Sequence, residues 1–189
     1  MTENTVMLQN VIGEMSRLVA GLDQSQFQRP SPCEGWSVAD VLNHVTAGAI
    51  MFAIAAEDGA VSDEKMGELL GNDNLGANPQ ASFGQAADRA IGAFSVPGVM
   101  DKVVKLPFGE MPASVALDIA VFDVATHACD SAYGTGQTIR DTATFEEALE
   151  YGRKMIGPEL RGTGLFEAEQ PPRSDAIQDR LLAFGGRKI

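Results

Sequence analysis

Four long stretches of this chain carry apolar residues at steps of three and four, and that spacing is what most limits the fold. In residues 3 to 22 the apolar positions are Leu8, Val11, Ile12, Met15, Leu18, Val19 and Leu22. Such steps return to one face of a helix of 3.6 residues per turn, so the segment reads as an amphipathic helix. Residues 28–35 hold Pro30, Pro32 and Gly35 and read as a loop. Ser37 then stands three residues before Asp40, a reciprocal capping box with Asp in place of the usual Glu. Trp36 and Val41 occupy the two positions of a hydrophobic staple. A second helix is expected over 38–57, then a loop over 58–81 with a short helix near 64–70. Ser82 with Gln85 opens a third helix, 82–95, which Pro97 and Gly98 stop. Val103 to Phe108 suits a short extended piece whose pairing Pro107 limits. Pro112 fits the first turn of a fourth helix, 112–133, with Val115, Ile119, Phe122, Thr126 and Cys129 along one side and Gly134 and Gly136 past its end. Thr144 with Glu147 begins a shorter helix to Ile156. Pro158, Gly162, Gly164, Pro171 and Pro172 mark a surface tail, and a last helix over 175–184 docks Leu181, Leu182 and Phe184. No strand is convincing. The expected fold class is therefore all-α: a four-helix bundle with a short C-terminal helix and loop extension, forming a single domain over residues 1–189.

Charge removes whole classes of partner. The formal net charge is −12 with a pI near 4.5, and the 14 Lys and Arg residues form no cluster. Such a surface repels a phosphate backbone and an anionic membrane alike, so no nucleic acid and no membrane is expected as a partner. Two cysteines, Cys33 and Cys129, are too few for a disulfide framework and suggest a reducing compartment. The N-terminal stretch has no basic region and contains Glu3 and Glu14, unlike a signal peptide. The longest apolar run, Ala47 to Ala56, is half of what a bilayer needs and reads as the middle of a core helix. The expected location is cytoplasmic.

The chain has two histidines, His44 and His127, both inside expected long helices. His127 follows Asp123 by four residues, and residues four apart stack on one helix face with Cβ atoms about 5–6 Å apart. A carboxylate and an imidazole so placed can hold one ion, as helix-borne sites in bundles do. An ordinary ion pair has the same spacing. Asp130, three residues further, can bind directly or accept a hydrogen bond from a ligand imidazole and fix its tautomer. His44 is offered by another helix. Two His and one carboxylate leave coordination positions open, as catalytic zinc sites do, and the same donors suit several first-row ions.

Three stretches carry a family resemblance. Residues 31–44, SPCEGWSVADVLNH, resemble the PCxGWxVxDLxxH motif of the DinB-like superfamily, in its branch related to mycothiol-dependent maleylpyruvate isomerase. Residues 122–136, FDVATHACDSAYGTG, resemble that branch's ExxxHxWDLAxATG segment. Residues 175–187, DAIQDRLLAFGGR, are similar to its closing DRLLAxxGR. The resemblance implies a DinB-like antiparallel four-helix bundle holding a divalent metal ion, commonly zinc or nickel, through a His of the second helix and an acid and a His of the last long helix. Carried over, those are His44, Asp123 and His127, with Asp130 behind them. It also implies mycothiol or another low-molecular-weight thiol as a cofactor, an electrophilic substrate, and often a homodimer. The acid here is Asp123 where the family usually has Glu, which shortens its reach by roughly 1.5 Å. Cys129 replaces the family Trp. The isomerase itself carries a further C-terminal domain that residues 140–189 are too few to supply, which argues against maleylpyruvate isomerisation as such.

The implied function is a thiol-dependent transferase or isomerase in which a metal ion activates a thiolate. The alternative is a non-catalytic metal-binding sensor or assembly module. A third possibility is a plain helical bundle whose two histidines make core hydrogen bonds. No catalytic acid or base is assigned. Glu34 and Asp40 suit solvation and capping. Cys33 suits a structural role, although it precedes a helix start, where thiols acidify. Cys129, about 200° round the helix from His127, should face the core.

Overall fold

The computed structural model describes residues 3–20, 22–162 and 166–189. Helix α1 spans Glu3–Ala20 and buries Leu8, Val11, Ile12, Met15, Leu18 and Val19 at 6% exposure or less. It closes two residues before the expected end. A one-turn helix not expected from the periodicity, α2 (Gln24–Phe27), follows, with Asp23 and Gln26 capping it reciprocally.

Helix α3 spans Val38–Asp58. Its capping box forms as read: the Ser37 hydroxyl accepts from the Asp40 amide at 3.2 Å, and the Asp40 carboxylate accepts from the Ser37 amide at 2.8 Å. Gly59, at φ +85°, ends it in the left-handed region that glycine enters without strain. Among the described residues α3 is the helix long and apolar enough to cross a membrane, and 61% of its apolar window is buried inside the fold.

Two expected helix starts are misplaced, for one reason. Helix α4 (Asp63–Gly71) follows Ser62 as its cap, but α5 runs over Pro79–Phe94, three residues earlier than the Ser82–Gln85 box suggested. Asn78 caps it by accepting from the Ala81 amide, and Pro79 takes the first-turn position where a missing amide costs nothing. Ser82 donates instead to the Leu75 carbonyl. Likewise α7 (Thr142–Met155) is capped by Asp141, whose carboxylate takes both the amide and the hydroxyl of Thr144. In each case an upstream Asn or Asp, four residues before Ser82 and three before Thr144, takes the N-cap position instead.

The extended piece is a hairpin, which corrects the expectation of no convincing strand. β1 (Val103–Leu106) pairs antiparallel with β2 (Gly109–Pro112), in the register Val104 to Met111 and Leu106 to Gly109. Pro107 sits in the turn, where it removes no ladder bond, and Val104 and Leu106 are buried.

Helix α6 (Ala113–Thr135) is the central element. The single stripe expected for it is a misreading: Val115 is exposed, whereas Ala116, Leu117, Ala120, Val121 and Val124 are buried beside Phe122 and Cys129. An element packed on several sides shows no clean amphipathic period. α1 lies against α5 and α6, and α3 against the same two, which closes the four-helix bundle. α7 and α8 (Ile177–Phe184) cover the outer side of α6, with Leu181, Leu182 and Phe184 buried as expected. Gly152 of α7 is required there, because a Cβ would overlap the Phe122 ring. Gly164 of the expected tail lies outside the described residues.

Candidate metal centre

The two longest helices, α3 and α6, bring the three donors together. The capped start of α3 sets its first turn, and His44 lies two turns in. Asp123 and His127 are one turn apart on α6. His44 Nε2 is 3.5 Å from Asp123 Oδ1, and His127 Nε2 is 3.6 Å from the same oxygen. One donor atom from each residue lies within 4.8 Å of the other two. Side-chain exposure falls from 36% at His44 to 26% at Asp123 and 9% at His127, so the triangle is open on the α3 side and closed behind.

The donor set fits a small divalent ion. Tetrahedral zinc bound to nitrogen and carboxylate oxygen at about 2.0–2.2 Å has donor–donor edges of about 3.3–3.5 Å. Two edges of the triangle are within a few tenths of an ångström of that. The short Asp123 reaches this position beside Gly48, one turn beyond His44. A Cβ at Gly48 would lie 3.6 Å from Asp123 Oδ2, so the carboxylate sits directly against the α3 backbone.

Behind the triangle, His127 Nδ1 is 2.9 Å from Asp130 Oδ2. Burial alone would push the Asp130 carboxyl up. Its bonds with His127 and Arg187 more than offset this and hold it below the ordinary carboxylate range. A carboxylate only accepts, so Nδ1–H donates to Asp130 and Nε2 is the ring nitrogen that faces Asp123. Asp130 itself is fully buried and receives two bonds from Arg187, Nε to Oδ1 at 3.2 Å and Nη2 to Oδ2 at 2.9 Å. Asp123 is likewise drawn up by burial and brought down further by the two imidazoles, so it stays below 3.8. His44, which burial would lower, is raised above 6.5 by Asp123.

Several contributors were not read from the sequence. Trp36, read as a staple residue, packs its ring 5.1 Å from that of His44 and 6.1 Å from that of His127, nearly parallel to the latter. It forms one wall of a cleft of about 350 Å³ with Ala47, Leu69 and Leu70, and Asp40 and Asn43 add polar groups beside His44. Asn43 ties the cleft's far side to α3, donating to the Asn72 carbonyl and accepting from the Asn74 amide. Trp36 and Arg187 stand in the sequence motifs, but nothing in periodicity points them at the histidines. A second hollow of about 370 Å³ includes Tyr133, Arg173 and Asp179 but none of the three donors, and Arg173 is engaged with Asp179 there.

Neither cysteine is a donor in this cluster. Cys129 is fully buried, and burial pushes its thiol well above 9.0. Cys33 is also raised, chiefly by burial. Both are free.

Fold and site together define a helical bundle whose two longest helices hold a His–Asp–His cluster, with His44 lining a cleft beside it. The family model of the mycothiol maleylpyruvate isomerase N-terminal domain matches residues 8–132, a stretch that contains all three donors. Two uncharacterized proteins of Mycobacterium tuberculosis, from strains CDC 1551 / Oshkosh and ATCC 25618 / H37Rv, are each 35% identical over 183 residues, covering 91% of this chain and 91% of their own. Two crystal structures of mycothiol-dependent maleylpyruvate isomerase, one of a mutant, share the fold. Their TM-scores are 0.63 and 0.61 at 20% and 22% identity. They cover 79% of this chain, which spans 64% of their length. The chain belongs to the mycothiol maleylpyruvate isomerase N-terminal domain family.

Proposed function

We propose that the protein binds one divalent ion, zinc or nickel, through His44, Asp123 and His127, and acts as a thiol-dependent transferase or isomerase. The observation that carries the reading is the donor triangle, with its 3.5 and 3.6 Å edges, whose His44 corner lines a cleft. A divalent ion there would lower the pKa of a thiol offered to it and so supply a nucleophile near neutral pH. The thiol is mycothiol or another low-molecular-weight thiol, as the family's name supports.

The chain's own residues do the rest. Asp130 holds the proton on His127 Nδ1 and keeps Nε2 aimed at the open side. Trp36 covers both imidazoles and keeps bulk water from their faces. Trp36, Ala47, Leu69 and Leu70 give an apolar bed to the electrophile, in a cleft at the small end of ligand pockets. Asp40 lines this cleft and, among the described residues, no Lys or Arg does. A dicarboxylate such as maleylpyruvate would find no basic side chain there to pair with a second carboxylate, so an uncharged electrophile fits better.

Elemental analysis of untagged protein tests the metal. Near-stoichiometric zinc or nickel is expected in the wild type and loss of it in His44→Ala. A wild type that takes up neither ion after incubation would sink the reading. With metal present, consumption of monobromobimane should accelerate in the presence of mycothiol and the protein together. No acceleration with any thiol would favour a non-catalytic sensor or assembly module.

A further inference from the structure

We infer that Arg187 is a positioning residue for this centre: acting through Asp130, it fixes the orientation and tautomer of His127, so the segment after α8 is part of the metal-binding device. The inference rests on the metal reading above but has its own observable.

The chain of contacts is continuous and mostly dry. Arg187 is 15% exposed at its side chain, Asp130 not at all and His127 only 9%. The guanidinium grips both Asp130 oxygens through two different nitrogens, and the same Oδ2 that accepts from Arg187 lies 2.9 Å from His127 Nδ1. A two-pronged bond of this kind fixes the plane of the carboxylate as well as its position, which a lysine ammonium does not do. With that plane fixed, the imidazole has one orientation in which Nδ1–H meets Oδ2, and in it Nε2 faces Asp123.

The backbone around Arg187 is arranged to deliver it. The amides of Gly185, Gly186 and Arg187 donate to the carbonyls of Leu181, Ala183 and Leu182, which folds the chain back on the end of α8. A Cβ at Gly185 would press within 3.2 Å of Thr126, the neighbour of His127, and one at Gly186 would come within 2.7 Å of Glu167 Cβ. Gly186 is also at φ +86°. Gly185 therefore lets the segment lie against α6 at the turn that carries His127, and Gly186 lets it pass close to Glu167. Arg187 Nη1 donates back to the Gly185 carbonyl at 2.7 Å, which holds the guanidinium in place. No other cation is bonded to Asp130 among the described residues. Removing Arg187 leaves a buried carboxylate with one partner instead of two and free to rotate.

Two readouts test this on the full chain. Zinc affinity is measured by competition with a chromophoric chelator for the wild type, Arg187→Ala, Arg187→Lys and Asp130→Asn. Loss of a group behind a ligand imidazole weakens metal binding about 10–100-fold, and Arg187→Ala should fall in that range. Arg187→Lys should lie between it and the wild type. Adding Arg187→Ala to Asp130→Asn should cost less than about twofold, because the two act through one path. The second readout needs no metal: nitrogen-15 NMR of chelator-treated protein should show His127 Nδ1 fully protonated in the wild type and a mixture of Nδ1–H and Nε2–H tautomers in Arg187→Ala. A folded Arg187→Ala with wild-type zinc affinity, or with an unchanged tautomer, overturns the inference. If that variant fails to fold, Arg187→Lys decides: wild-type affinity and an unchanged tautomer in it overturn the inference equally. A wild type that binds no zinc overturns the metal reading instead, and the tautomer still decides Arg187.

Discussion

Gly48 marks where the short Asp123 carboxylate lies against α3. A Cβ there would sit in ordinary contact with Asp123 Oδ2 at 3.6 Å and clash with nothing. Gly48→Ala should therefore stabilise α3 by about 1 kcal/mol through helix propensity, seen as a higher melting temperature, with zinc affinity changed less than threefold. Gly48→Leu should displace the carboxylate and weaken zinc binding at least tenfold in the same titration. The acid–imidazole pairs also make a pH prediction. His44 is raised above 6.5, so the stability it contributes is complete below 6.5 and is lost as pH rises through its folded value. Asp123 is held below 3.8, so its contribution is present above 3.8 and is lost on acidification. Metal reverses the first slope, because ligation needs the unprotonated imidazole. Between about pH 6 and 8 the melting temperature of chelator-treated protein should fall, while that of zinc-loaded protein should rise. Parallel slopes would show that His44 does not exchange its proton for metal.

At the scale of elements, the helices were legible where an apolar period faced one core. α1 and α3 announce themselves by stripe and cap, and both lie within two residues of the expected bounds. α6 was placed correctly but its buried face was not, because bundle, hairpin, α7 and α8 all press on it. The two misplaced caps are instructive. Ser82 and Thr144 have the right spacing for capping boxes, yet Asn78 and Asp141 lie four and three residues upstream, and each already accepts from a first-turn amide. Asn78→Ala should cost about 1 kcal/mol of unfolding free energy, and Gln85→Ala, which leaves that cap intact, much less, both by chemical denaturation. Gly152→Ala should cost more, about 1–3 kcal/mol, because it forces apart α7 and the Phe122–Phe184 contact on α6 and α8.

For the whole molecule, an ion held by His44, Asp123 and His127 would tie α3 to α6 and so couple ligand to fold. A ligand that binds only the folded chain at a hundredfold its dissociation constant adds about 2.7 kcal/mol. For a chain of this size that is a melting shift of roughly 5–10 °C. Zinc should produce such a shift in the wild type, scanned by calorimetry, and none in His44→Ala. An equal shift in both would place the bound zinc elsewhere.

The sequence by itself determined the long helices, the all-α class and the pair Asp123–His127, because helical periodicity and i,i+4 spacing are local properties of the chain. The resemblance supplied His44 as their companion. What only the tertiary structure decided is everything that depends on two distant segments meeting. That includes Gly48 beside Asp123, Trp36 over both imidazoles, and Arg187 against Asp130, 57 positions apart in the chain. Spacing along one helix fixes which side chains share a face, but which partner that face meets is set by packing, and packing has no period in the sequence.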